Sequence, residues 1–263
     1  MSKKVRHNAV AEWRNLGVTP SVAQALYQPP KAIRGGVPIC WPQFSDFGSL
    51  SQHGFARNKQ WDFVTAGADA DGTGALVELS LCDTDETRAV WPHSFKLTMT
   101  VHLTGAGTLR CDLGVTNTGS DELAFTAALH TYFRCDAQKS MVRGLHGCEY
   151  LDSLKGRQRF TQSDEAVSFD GEVDRIYLGA SQSPLSLIDS SHSRTFSVAA
   201  SNMPDAVVWN PHIAKAKAMA DFDDDEWLEM VCIEPAVVQQ PIILAPNASW
   251  KGSQLLEVDA RCM

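Results

Sequence analysis

The sequence predicts an all-β protein built as a sandwich, and three observations carry that expectation. Its clearest hydrophobic periodicities are two rather than 3.6, its strand candidates are short and bounded by Gly, Asn, Asp and Ser turns, and few helical stretches lie between them. The composition can supply the core: 44% of the 263 residues are hydrophobic and 21% charged, too apolar for a mainly disordered chain. No internal repeat and no Pro- or Ser-rich linker divides the sequence. One domain is therefore expected across residues 1–263, with an atypical amino-terminal segment, 1–31.

Taken in order, Asn8 to Tyr27 comes first, where Val10, Trp13, Leu16, Val22, Ala23 and Leu26 could line a helix face on each side of Pro20. From Leu76 the pattern becomes an alternation, with Leu76, Glu78 and Ser80 interleaving Val77, Leu79 and Leu81. It is clearest where Phe95, Leu97, Met99, Val101 and Leu103 alternate with Lys96, Thr98, Thr100 and His102, the signature of a strand with one buried face. After Gly105 and Gly107, Leu109, Cys111, Leu113 and Val115 repeat the pattern, so the two runs form a hairpin. Asn117 to Ser120 is turn chemistry, and Leu123 to Phe133 is the next strand. Leu185 to Ile188, Thr195 to Ala199, Ala206 to Trp209, Glu229 to Glu234 and Leu255 to Val258 follow. Competing helical character is confined to Ala214 to Ala220, and Phe222 to Glu226 is a dense charge run that fits a solvated loop tip.

Charge and cysteine usage narrow the function classes. With 23 Lys+Arg against 31 Asp+Glu the net charge is −8, without the basic excess of a nucleic-acid binder or a basic run for a membrane surface. No stretch approaches the eighteen or so apolar residues of a membrane span, and Met1 to Glu12 lacks the apolar middle of a secretory signal. Seven scattered cysteines form no C-x-x-C pair, and their odd number cannot all pair within one chain. A cytoplasmic monomer with reduced thiols is expected. The eight histidines make no H-x-x-x-H pair beside a Glu, so no metal is called for.

Three segments could hold chemistry. In Ala32 to Phe44 and Gln52 to Arg57, two prolines and adjacent Gly35 and Gly36 cannot make a regular strand interior and shape a loop that carries Arg34. Such a loop could hold an anion, or its arginines could simply pair with surface acids. In Ala127 to Phe133, if Phe125, Ala127 and Leu129 face the core, His130 shares the other face with Thr126, Ala128 and Tyr132. A lone strand histidine is more often a satisfied structural residue than a catalyst, but its titration range suits a proton donor or acceptor. Glu234 ends an apolar run before Pro235, where a buried carboxylate is expensive without a partner or a function; a salt-bridged strand end is the alternative. Asp174 could pair locally or accept hydrogen bonds from a polyol.

Ala32-Ile-Arg-Gly-Gly-Val-Pro, Gln52-His-Gly-Phe-Ala-Arg, Leu129-His-Thr-Tyr-Phe, Val173-Asp-Arg-Ile-Tyr, Val208-Trp-Asn-Pro and Cys232-Ile-Glu-Pro stand in this order. In that order they resemble the glucose-6-phosphate 1-epimerases, the hexose-6-phosphate mutarotases of the aldose 1-epimerase superfamily. The resemblance runs from about Ala32 to the carboxyl end. It implies a large antiparallel β-sandwich of the galactose-mutarotase type that exchanges the α and β anomers of a hexose 6-phosphate without a cofactor. It also implies His130 and Glu234 as catalytic residues, and Arg34, Gln52, His53, Arg57 and Asp174 as substrate-binding residues. A mutarotase of unphosphorylated aldoses and a non-catalytic carbohydrate-binding protein are the alternatives. Two departures stand out: the family usually has strands before Ile-Arg-Gly-Gly, and Glu234-Pro-Ala236 stands where Glu-x-Gly is expected.

Overall fold

The computed structural model describes residues 33–69, 72–104 and 107–260, so the helix face expected in Asn8 to Tyr27, the segment 1–31 and Cys262 lie outside the described residues. Within them the chain forms, in order, β1 (Ile39–Cys40), β2 (Asp62–Ala68), β3 (Ala75–Cys82), β4 (Phe95–Thr104), β5 (Thr108–Asn117), β6 (Leu123–Leu129), β7 (Tyr132–Arg134), β8 (Ser140–Arg143) and β9 (Glu149–Asp152). There follow β10 (Gln158–Thr161), β11 (Ala166–Val167), β12 (Val173–Tyr177), β13 (Leu185–Asp189), β14 (Arg194–Ser201), β15 (Asp205–Asn210), β16 (Met230–Leu244) and β17 (Ser249–Ala260). Two short α-helices, α1 (Asp85–Val90) and α2 (His212–Lys217), interrupt them.

The strands make two antiparallel sheets. The first runs β1-β6-β16-β15-β12-β9-β10, with β7 also paired to β16; the second runs β11-β8-β13-β14-β17-β5-β4-β3-β2. The hairpin expected from the alternation is β4–β5, in register from Phe95 opposite Asn117 to Thr104 opposite Thr108. Its inward residues Phe95, Leu97, Met99, Leu109, Leu113 and Val115 join Phe125, Ala127, Val208, Val231, Ile233 and Val237 of the first sheet in one buried cluster. That shared layer is the core of a sandwich, as the period of two predicts.

Three expectations are corrected. The run Leu123 to Phe133 is not one strand: after Leu129 the Thr131 N–H turns back to the Leu129 carbonyl at 2.8 Å, while the His130 N–H donates to the Pro38 carbonyl at 3.0 Å. Glu234 does not end its strand, because β16 continues through Pro235, opposite Ala206, to a bulge between Val237 and Ile242. The buried Asp205 carboxylate sustains that bulge by accepting from the Val238 and Gln239 N–H groups at 2.8 and 2.9 Å. The charged run is only partly a solvated tip. Asp223, Asp224 and Asp225 are exposed, but Phe222 is buried in a cluster with Trp209, Trp227 and Tyr132.

No helix among the described residues is long and apolar enough to cross a membrane. The six described cysteines are all free thiols.

Candidate active site

A strand buried on both faces still alternates, and β16 shows what the alternation does here. Val231, Ile233 and Val237 enter the core between the sheets. Cys232, Glu234, Ala236 and Val238 point to the outer face of the first sheet, among two smaller apolar clusters. Register then places other side chains beside them. Val207 lies opposite Glu234, Trp209 opposite Cys232, Ala128 opposite Ala236, and Asp174 opposite Trp209. Strands β16, β15 and β12 and the β6–β7 junction therefore deliver Glu234, Trp209, Asp174 and His130 to one face, which floors a cleft of roughly 830 Å³ including its open mouth, within the range of small-molecule sites. Ala236, where a glycine was expected, is fully buried in the apolar cluster that also holds Ala128 and Cys40.

His130 and Glu234 are both buried, at 5% and 1% exposure. His130 Nδ1 lies 3.2 Å from Glu234 Oε1, yet the approach is not aligned as a hydrogen bond, and His130 Nδ1 and Glu234 Oε2 have no hydrogen-bond partner. The imidazole stacks on Tyr132 with ring centroids 4.9 Å apart and meets Trp209 and His53 edge-on at 5.7 and 5.6 Å. Burial pushes the His130 imidazole well below its ordinary value, helped by His53, Arg57 and Arg34. Burial, with Asp174 nearby, pushes the Glu234 carboxyl well above its ordinary value, against the pull of Arg57. Burial thus biases both groups toward their uncharged forms.

The loop ahead of β1 and the segment after it supply the rim. Gly35 and Gly36 take positive φ, and the Gly36 and Pro38 carbonyls accept from the Tyr132 and His130 N–H groups, both at 3.0 Å. The loop carrying Arg34 is thereby fastened to the histidine's own backbone. Arg34 Nε donates to Asp221 at 3.1 Å. Arg57 Nη2 donates to the Gln52 carbonyl at 3.2 Å, while its buried Nε has no partner. His53 Nδ1 accepts from the Ser45 N–H at 3.3 Å, which leaves the ring proton on Nε2. Burial and the two arginines push this imidazole down to about 3, so it stays neutral. On the opposite side, burial raises the Asp174 carboxyl although the Ser153 hydroxyl and the Lys215 ammonium hold it down.

All seven site residues expected from the sequence (Arg34, Gln52, His53, Arg57, His130, Asp174 and Glu234) line this cleft. Arg34 both lines the cleft and pairs with Asp221. Sequence reasoning missed Lys215, Trp209 and Ser153, which line the cleft too. Lys215 gives no signal of its own, being a lysine in a short helix. Its position depends on Asn210, whose side chain donates to the Trp227 and Met230 carbonyls and accepts from the His212 N–H that opens α2. Among the described residues, one group offers ligand atoms close enough for a metal ion: His130, Cys232 and Glu234, within 4.8 Å of one another.

Comparison with known proteins agrees with this geometry. The model of the aldose 1-epimerase family matches residues 16–257. A Cenchrus ciliaris protein named "Putative glucose-6-phosphate 1-epimerase" is 44% identical over 236 residues, covering 88% of this chain and 71% of the relative. A protein of the same name from Escherichia coli K12 is 34% identical, covering 80% and 69%. Among solved structures, a mutarotase-like protein of Salmonella typhimurium superposes with a TM-score of 0.84 at 29% identity, covering 93% of this chain and 80% of its own. A galactose mutarotase related enzyme from Lactobacillus acidophilus shares the fold, with a TM-score of 0.70 at 17% identity over 89% and 86% of the two chains. The sandwich has a galactose mutarotase-like fold. The chain belongs to the aldose 1-epimerase family.

Proposed function

We propose that the protein interconverts the α and β anomers of a hexose 6-phosphate, with D-glucose 6-phosphate as the preferred substrate. One observation carries the chemistry: a buried imidazole and carboxyl 3.2 Å apart on the floor of a sugar-sized cleft. Anomer exchange needs two simultaneous proton transfers. A base takes the proton of the C1 hydroxyl as the C1–O1 carbonyl forms, the C1–O5 bond breaks, and an acid protonates O5. Rotation about C1–C2 and the reverse transfers close the ring on its other face.

Glu234 is the base and His130 the acid, with the roles exchanged on closure. The proton count explains why this site suits the task. Carboxylate plus imidazolium and carboxylic acid plus imidazole hold the same single proton, and ring opening converts the first arrangement into the second through the substrate. Burial biases the free pair toward the second, uncharged arrangement, so ring opening starts from the carboxylate–imidazolium form, reached by moving the proton from Glu234 to His130, and ends in the favoured one. Positioned acid–base groups of this kind contribute typically about 10²–10⁴-fold in rate. Asp174 and His53 hold sugar hydroxyls. Arg34, Arg57 and Gln52 bind the phosphate, with Lys215 as a further cation at the rim. The names of the relatives from Cenchrus ciliaris and Escherichia coli support the phosphorylated substrate. Free thiols suit a reducing compartment, and the cytoplasm is the proposed location.

Polarimetry on freshly dissolved α-anomer tests the reading. Faster mutarotation of glucose 6-phosphate than of glucose is expected. Equal acceleration of both would move the assignment to a general aldose mutarotase, and binding without acceleration to a carbohydrate-binding protein.

A further inference from the structure

We infer that His130, Cys232 and Glu234 form a binding site for a thiophilic divalent cation such as Zn²⁺, and that the cation blocks the cleft by occupying the proton-transfer pair. Nitrogen, sulfur and carboxylate oxygen make a donor set that zinc takes readily. Cys232 and Glu234 are two residues apart on β16 and so share its outer face, while His130 approaches from the β6–β7 junction. Their ligand atoms already lie within 4.8 Å of one another. A tetrahedral zinc site with bonds of about 2.0–2.3 Å has ligand–ligand edges of roughly 3.3–3.8 Å, so the widest pair closes by about an ångström.

Two further observations point to a ligand here. His130 Nδ1 and Glu234 Oε2 are buried polar atoms without a hydrogen-bond partner, on side chains that are 7% and 2% exposed. The contrast with Asp189 is instructive. That fully buried carboxylate also has an unpartnered oxygen, but its other oxygen is already held by His192 and Arg194 at 2.8 and 3.0 Å. Among the described residues, no such cation faces Glu234 within ion-pair distance apart from the imidazole itself. Arg34 and Arg57 oppose additional positive charge near the pair. Binding therefore proceeds with loss of the Cys232 thiol proton and of the single proton on the pair, so that a thiolate and a carboxylate offset the two charges of the metal. Cys232 takes no part in the proposed anomer exchange. It packs instead with Tyr132 and Trp209.

Cobalt(II) added to the full-length protein reads the site directly and without reference to catalysis; only the inhibition rests on the epimerase reading. Near-stoichiometric Co²⁺ is expected to give a near-ultraviolet thiolate-to-cobalt charge-transfer band. Cys232→Ser should lose that band and bind Co²⁺ and Zn²⁺ at least about tenfold more weakly, while keeping its basal anomer exchange. In the wild type, micromolar Zn²⁺ should suppress exchange, and a chelator should restore it. The absence of a thiolate band in the wild type at millimolar Co²⁺, or a band that persists in Cys232→Ser, would overturn the site. A band accompanied by exchange that Zn²⁺ does not suppress would overturn the blocking role. A band in a protein that never catalyses exchange would uphold the metal site and count against the epimerase.

Discussion

Glu234 is 1% exposed on β16, opposite buried Val207. Its raised pKa makes the stability of the fold depend on pH. In the unfolded chain the carboxyl ionises near about pH 4.5, whereas in the folded protein it holds its proton to higher pH. Its contribution is therefore fully present below the unfolded value and is lost as pH rises through the folded one. Glu234→Gln removes that loss. In parallel thermal melts the variant is expected to gain on the wild type by a margin that widens over the range above about pH 4.5. A margin that stays flat or narrows over that range would mean that Glu234 is ionised in the free protein. His130 works in the opposite sense: its depressed pKa removes stability as pH falls below about 6.5.

At the scale of elements, the site depends on how short segments are pinned. Gly54 follows His53, itself at a φ of 67°, and also has a φ of 67°. A Cβ at Gly54 would lie 2.3 Å from the Trp41 carbonyl oxygen and 2.8 Å from the Pro42 nitrogen. These are backbone atoms, which cannot swing away. Gly54→Ala is therefore expected to cost about 1–3 kcal/mol and to displace Gln52, His53 and Arg57 together. The check is chemical denaturation beside steady-state kinetics, with lost stability and a raised KM expected; wild-type values for both would show the segment to be adaptable. From the core side, Thr131 ties the two sheets together behind His130. Its hydroxyl donates to the buried Gln254 of β17 at 2.8 Å, and its carbonyl accepts from the Ile233 N–H at 3.3 Å. The hairpin β4–β5 was legible in the sequence because a half-buried strand writes its face as a period of two. The location of the seven cleft residues was legible through ordered motifs rather than periodicity. The break after Leu129 was not legible, since it depends on the Pro38 carbonyl, ninety-odd residues away. Nor was the continuation of β16 beyond Pro235, because Asp205 sustains it from a neighbouring strand. Lys215 was missed for a similar reason: its placement rests on a tertiary brace by Asn210.

Across the whole molecule, a net charge of −8 repels a sugar phosphate at long range. Phosphate selectivity must then come from a local cluster, and Arg57 is its sharpest test because its buried Nε has no partner in the free protein. Arg57→Ala is expected to lower kcat/KM for glucose 6-phosphate at least tenfold more than for glucose, in paired assays on one preparation; equal losses would reduce Arg57 to a brace of its loop. The two sheets share one buried layer, and residues 1–263 are proposed to unfold as one cooperative unit. Calorimetric and van't Hoff enthalpies should agree, and two separated transitions would divide the chain into domains. Exchange NMR on glucose 6-phosphate at anomeric equilibrium tests the central claim most directly, because it reads passage between the two anomers with no coupled reaction. Wild-type protein should produce strong exchange between the α and β anomeric proton signals, with the rate reduced by about 10²–10⁴-fold in both His130→Ala and Glu234→Gln. A wild-type rate no faster than buffer, or folded variants that match the wild type, would contradict a proton-transfer pair at His130 and Glu234.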